Sequence, residues 1–156
     1  MQKIWTKALR DSISDVFSTM FFMVPEEVPD LKESLDEGPP RSWIEGWIDM
    51  EGPEGKARVL IWAPVELARE LGANILSLDP DDLAEEDMLD AYREMLNMVA
   101  GNHLTLVDEQ GSWRMGLPES SGPSQSVAPD TGRAQWLLYF EVEGMPLVAG
   151  CRLQES

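Results

Sequence analysis

Residues 87–102 read Asp87-Met88-Leu89-Asp90-Ala91-Tyr92-Arg93-Glu94-Met95-Leu96-Asn97-Met98-Val99-Ala100-Gly101-Asn102. At about 100° per residue, Met88, Ala91, Tyr92, Met95 and Val99 gather on one side of a helix. Asp90, Glu94, Asn97 and Gly101 gather on the other. The apolar stripe predicts an amphipathic helix seated on a core. The second stripe is polar and then small, and a solvated face would produce the same pattern. Three details point instead to a docking face. Asn is a poor residue for a helix interior. Asn97 stands nearly alone in the apolar run Met95 to Ala100. Gly101 lies one turn further on, where a missing side chain lets another surface approach. Asp79 reads as the N-cap of this helix and Pro80 as its first residue, with Asp81 and Asp82 in the first turn. Gly101 lies near the expected end and Asn102 just beyond it.

Upstream, Trp5, Leu9, Ile13, Val16, Phe17, Met20 and Val24 recur at spacings of three and four, predicting a helix from Trp5 to Val24. Pro25 and Pro29 stop it. Residues 26–41 are acidic and rich in Pro and Gly and read as a mobile loop with at most a short turn. Ser42 to Met50 and Lys56 to Ala63 read as strands joined through Gly52-Pro53-Glu54-Gly55, a hairpin signal. Pro64 opens a short helix through Val65, Leu67, Ala68 and Leu71, which Gly72 ends.

Downstream, Ser112 to Leu117 reads as a short strand, and residues 119–133 as a mobile loop rich in Ser, Pro and Gly. Gln135 to Val142 and Pro146 to Leu153 form a hairpin about Glu143-Gly144. Two long helices among runs of strands predict an α+β layered fold. The two helices would pack on one face of a largely antiparallel sheet, in a single domain spanning residues 1–156.

The chain of 156 residues carries a net charge of −17. Nucleic-acid binding rests on neutralising phosphates with Lys and Arg, so nucleic acid is not an expected partner. Anionic membrane surfaces are excluded on the same ground. No apolar run approaches the length of a membrane span, and the first residues do not read as a secretory signal. The expected location is the cytoplasm, in keeping with a single cysteine, Cys151, which rules out an internal disulfide framework. Cys151 sits in an apolar strand and reads as core filler. His103, the only histidine, reads as a satisfied or exposed loop residue. Asp81, Asp82, Glu85, Glu86, Asp87 and Asp90 read as helix-dipole compensation and solubility, and no metal site is expected. Trp43, Trp47, Trp62, Trp113 and Trp136 read as packing residues.

The pair Glu94-x-x-Asn97 followed by Met98-Val99-Ala100-Gly101-Asn102 closely resembles the signature helix of the CheX/CheC/FliY chemotaxis phosphatases. Val16-Phe17-Ser18-Thr19-Met20 is similar to the opening of CheX proteins. The resemblance implies that the protein hydrolyses the phosphoaspartate of a CheY-like response regulator. Glu94 would anchor to a partner lysine, and Asn97 would orient the attacking water. Asp90, Gly101 and Asn102 would contact the partner. The resemblance implies no cofactor of the protein's own, because Mg2+ and the acceptor aspartate belong to the regulator, and no small-molecule ligand is expected. CheC-type members resemble a duplicate with two such helices. Here the first helix offers Asp15-Val16-Phe17-Ser18, so one site per chain is expected, as in CheX. A homodimer through sheet edges is implied as well. The alternative is a non-catalytic adaptor that binds a response regulator, or a flagellar or signalling partner, through the same face.

Overall fold

The structure, a computed structural model, describes residues 1–38, 40–126 and 129–155. Residue 39 of the first expected loop and residues 127 and 128 of the second lie outside the described residues.

Helix α1 (Gln2–Met20) buries Trp5, Leu9, Ile13, Val16 and Phe17, the stripe its spacing predicts. It ends four residues earlier than expected. The Phe17 carbonyl accepts from the amides of both Phe21 and Met23, and the Phe21 carbonyl accepts from Asn74 Nδ2 at 2.7 Å. The chain therefore turns away, leaving Met20 and Val24 exposed and burying Phe21 and Met23 instead.

The stretch read as a loop holds two elements, the short strand β1 (Glu26–Glu27) and helix α2 (Leu31–Glu37). Leu31 and Leu35 share one face of α2, and Leu35 packs with Trp43 and Trp62. One buried leucine in an acidic segment is too weak a signal to read from spacing.

Strands β2 (Arg41–Gly52) and β3 (Gly55–Pro64) form the expected hairpin, from Trp43 opposite Pro64 to Gly52 opposite Gly55. Helix α3 (Val65–Leu76) runs through Gly72 and ends at Ser77, which takes the left-handed conformation. Gly72 is a contact and not a stop. A Cβ there would lie 2.6 Å from Leu83 Cδ2 and 3.5 Å from Ala91 Cβ, so the bare backbone lets the next long helix pack close.

That helix is α4 (Glu85–Val107). Asp79 does act as a cap, accepting from the Asp81 amide at 3.0 Å, but it caps a separate single turn over Pro80–Asp82. The helix itself starts after Ala84 and runs past Gly101 and Asn102, because Leu104 continues the buried stripe beyond them. Met88, Ala91, Tyr92, Met95 and Val99 are all buried, as the periodicity predicts.

Two strands flank the free side of β2: β4 (Arg114–Met115) pairs near its end, and β5 (Glu119–Ser126) pairs along Arg41 to Trp47. β5 replaces much of the second expected loop. It lies at a sheet edge, where backbone pairing to one neighbour suffices, so no apolar alternation marks it. Strands β6 (Trp136–Val142) and β7 (Met145–Glu155) form the last hairpin. Glu143 and Gly144 take φ of 52° and 75°, as a tight turn of that hand requires.

All pairings are antiparallel, in the order β1-β6-β7-β3-β2-β4, with β5 also on β2. Helices α1, α3 and α4 cover one face over the main core. The α+β expectation holds, with two long helices on one face. Helix α2 covers part of the opposite face, over the smaller cluster of Trp43, Leu60, Trp62 and Val148. Most of the tryptophans pack as expected: Trp43 and Trp62 are buried in strands, and Trp113 is buried just before β4.

Candidate functional site

The site is built on α4, and the sheet beneath holds that helix at a fixed distance. Gly46 of β2 faces it: a Cβ there would fall 2.2 Å from Leu96 Cδ1 and 2.7 Å from Tyr92 Cε2. The Tyr92 hydroxyl donates to the Ile61 carbonyl at 2.6 Å inside the core. Burial pushes the Tyr92 phenol well above its ordinary range, so it stays a neutral donor. Against α1, the buried Ser12 hydroxyl donates to the Val99 carbonyl at 2.6 Å. With three neighbours fixing the inner side, the outer side of α4 is a rigid platform.

Glu94 and Asn97 lie on that outer side, i and i+3 apart, so their side chains are neighbours. Glu94 is exposed and Asn97 partly so. Among the described residues neither side chain makes a hydrogen bond or ion pair, although nearby polar residues are engaged. Asp90 pairs with Arg93 one turn away. The same guanidinium donates to the Ser120 hydroxyl of β5 at 2.8 Å. Arg93 thus ties the sheet edge to the helix.

Gly101 does lie one turn beyond Asn97, but its open position is partly taken. A Cβ there would sit 3.7 Å from Met115 Cε of β4, an ordinary contact. Because Met115 reaches Gly101 and Ser120 reaches Arg93, residues 116–119 run along the helix beside Glu94 and Asn97. Leu117 protrudes from this segment, 86% exposed. The sequence offered no signal for this rim, because its position depends on strand pairing. Asn102 falls about 140° round the helix from Asn97. It is partly buried, and its Nδ2 is enclosed without a partner among the described residues. The structure therefore brings Asp90, Glu94, Asn97 and Gly101 together and places Asn102 to one side.

On α1, Asp15 and Ser18 are exposed, but the Ser18 hydroxyl turns back to the Asp15 carbonyl at 3.2 Å, as does Thr19 at 2.6 Å. The Ser18 and Thr19 hydroxyls of that turn are thus engaged within α1.

His103 corrects the sequence reading. It lies inside α4, fully buried, with both ring nitrogens unpartnered among the described residues. Its ring meets Trp5 edge-on at 4.8 Å, and Trp5 meets Trp113 at 5.0 Å. Helix α4 extends further than its glycine suggested, so what looked like loop is core. Burial pulls the His103 pKa down to about 4. Cys151 is core filler as expected, and burial pushes its thiol up to about 12, far from a reactive thiolate.

Asp81, Asp82, Glu85, Glu86, Asp87 and Asp90 are exposed, so the turn before α4 and the start of α4 are strongly negative. Among the described residues no group of three or more His, Cys, Asp or Glu is placed to hold a metal ion. No helix of the described residues is long and apolar enough to cross a membrane.

The description "Chemotaxis phosphatase CheX" belongs to the family whose model matches residues 44–141, well over half of the chain. The match spans β2 to β6 and includes all of α4. No curated protein matches by sequence. Among solved structures, the chemotaxis protein CheX of Vibrio vulnificus is similar, at 19% identity and a TM-score of 0.75, with 96% of each chain covered. A CheC-like superfamily protein of Shewanella sp. PV-4 is similar at 22% identity and a TM-score of 0.74, with 99% of each covered. The fold is shared with CheX from Borrelia burgdorferi, solved in a CheX-CheY-BeF3-Mg2+ complex. That similarity is at 15% identity and a TM-score of 0.68, covering 97% of this chain and 98% of that one.

Proposed function

This chain belongs to the CheX family of chemotaxis phosphatases, and from that premise we propose that it accelerates hydrolysis of the phosphoaspartate of a CheY-like response regulator. Glu94 anchors α4 to a lysine of the regulator's active site. Asn97 reaches the phosphoryl group and orients the attacking water. The observation that carries this reading is the pairing of Glu94 and Asn97 on the outer face of α4, both without a side-chain partner among the described residues. A carboxylate and a carboxamide left unengaged beside the occupied Asp90–Arg93 pair suit a surface meant to meet another protein.

The chemistry matches the residue types. Phosphoryl transfer depends chiefly on positioning and on stabilising charge. Water attacks phosphorus in line, the P–O bond to the aspartyl oxygen breaks, and inorganic phosphate and the free carboxylate result. A carboxamide has both a donor and an acceptor but no useful basicity, so Asn97 holds the water without taking its proton. Mg2+ and the acceptor aspartate are the regulator's, so the chain contributes no cofactor. The acidic first turns of α4 would repel an acidic phosphorylation pocket, and the partner lysine and the Mg2+ offset this. The segment 116–119, with Leu117 at its tip, forms an apolar rim for the regulator to press on.

The test is release of phosphate from a phosphorylated receiver domain of the source organism with Mg2+, with and without the protein. Asn97→Ala is expected to lose the acceleration by a factor of about 100 or more while keeping binding, as removal of one positioning group does elsewhere. Glu94→Ala is expected to weaken binding. Binding without acceleration by the unaltered protein would make it an adaptor and would end the catalytic reading.

A further inference from the structure

The sheet face opposite α4 carries a second feature. Beyond the part covered by α2, the ends of β2, β3, β4 and β7 border an open cavity of about 680 Å3. Lys56, Arg58, Arg114, Arg133 and Arg152 line it, against the carboxylates of Asp49 and Glu51. These are five of the twelve Lys and Arg residues, gathered in one place on a chain of net charge −17.

The carboxylates do not neutralise the cluster. Asp49 is committed to Arg58, with bonds of 2.7 and 2.9 Å. Glu51 stands opposite both Lys56 and Arg114 in the strand register. Arg152 stands directly opposite Arg58 across β3 and β7, and among the described residues nothing pairs with it. Like charges directly opposed on a sheet are destabilising unless something lies between them. At one end the guanidinium groups of Arg58 and Arg133 flank the Trp47 ring, at 5.8 and 5.2 Å from its centroid. Trp47 is itself held by Glu119 at 2.9 Å, and Arg133 by Glu45. The site is thus preorganised on that side and open in charge on the other.

We propose that this cavity binds a small organic phosphate of nucleotide size, through Arg152, Arg114 and Lys56. Guanidinium forks match phosphate oxygens in pairs. The volume falls within the range of organic-ligand sites and is far larger than one inorganic anion needs. Met50 and Ala57 are buried in the main core and Met115 reaches α4, so they line the cavity with backbone, and the aromatic surface on this face is the half-buried Trp47 ring beside Arg58 and Arg133.

The test is calorimetric titration of the full chain with ATP, GTP and pyrophosphate in magnesium-free buffer, with Trp fluorescence as a second readout. Saturable binding of a nucleotide is expected, stronger than that of pyrophosphate. Arg152→Gln and Arg114→Gln are each expected to weaken it about tenfold or more, the scale of one charge-assisted bond. Without ligand, Arg152→Gln is expected to melt at or above the unaltered protein, because the repulsion with Arg58 is gone. The Asn97→Ala variant is expected to bind the nucleotide unchanged, so this proposal and the phosphatase reading stand or fall separately. Absence of saturable nucleotide binding, or binding indifferent to Arg152→Gln, would overturn the proposal. So would binding of a poly-glutamate peptide alone, which would make the face a docking surface for an acidic protein.

Discussion

Replacing His103 by Leu isolates the energetic consequence of a neutral histidine buried against Trp5. The imidazole is fully buried, both nitrogens are unpartnered among the described residues, and its pKa falls from 6.5 to about 4. The unfolded chain then binds more protons than the folded one between these values, so stability is lost as the pH drops from 6.5 to 4. Above pH 6.5 the folded state loses nothing, and below pH 4 the loss is complete. The full shift corresponds to about 3 kcal/mol, at about 1.36 kcal/mol per unit. The same relation gives a loss of about 1 kcal/mol at pH 5.5 and about 3 kcal/mol at pH 4.5. Other groups also titrate as acid is added. Burial raises the pKa of Glu45, and relief of the negative net charge opposes acid unfolding. Both are common to the protein and its variant and cancel in the difference. His103→Leu suits an apolar site and keeps the volume similar. Urea denaturation of the two at pH 7, 5.5 and 4.5 is expected to show the gap moving in the variant's favour by the amounts above. Parallel curves would refute the reasoning, because they would mean that His103 is solvated or pairs with a carboxylate.

Other perturbations probe the platform beneath the candidate site. Gly46→Ala drives a Cβ into Leu96 and Tyr92 and is expected to cost about 1–3 kcal/mol, read as a lower urea midpoint. Tyr92→Phe removes the donor to the Ile61 carbonyl in the core and is expected to cost about 1–3 kcal/mol, with the fold unchanged by circular dichroism. Asn97→Ala, by contrast, is expected to leave the urea midpoint within about 0.5 kcal/mol of the unaltered protein, since the side chain bonds to nothing among the described residues. A large drop there would show Asn97 to be structural.

Much of the architecture was legible because it repeats locally. The stripes of α1 and α4 appear at helical spacing, and the two hairpins are marked by turn residues between apolar runs. The Glu94–Asn97 pair was legible for the same reason, since two positions three apart on a helix meet wherever the helix goes. Element ends were harder. Gly72 and Gly101 looked like stops, but one gives room for α4 to pack on α3 and the other lies under Met115. In both cases burial of the next turn outweighed the modest cost of glycine in a helix. Helix α2 and strand β5 escaped notice because a single leucine and an edge pairing leave almost no pattern.

Local sequence alone determined which segments are amphipathic, which face each buries, and that a carboxylate and a carboxamide share the outer face of one helix. These depend on side-chain order along one element. Only the tertiary structure decided that His103 is core, that residues 116–119 flank the Glu94–Asn97 face, and that five cations from three strands and the turn before β6 meet behind the sheet. The first depends on how far α4 runs and on its packing against α1, and the other two on strand register between segments far apart in the chain, where a shift of one residue turns every side chain to the opposite face.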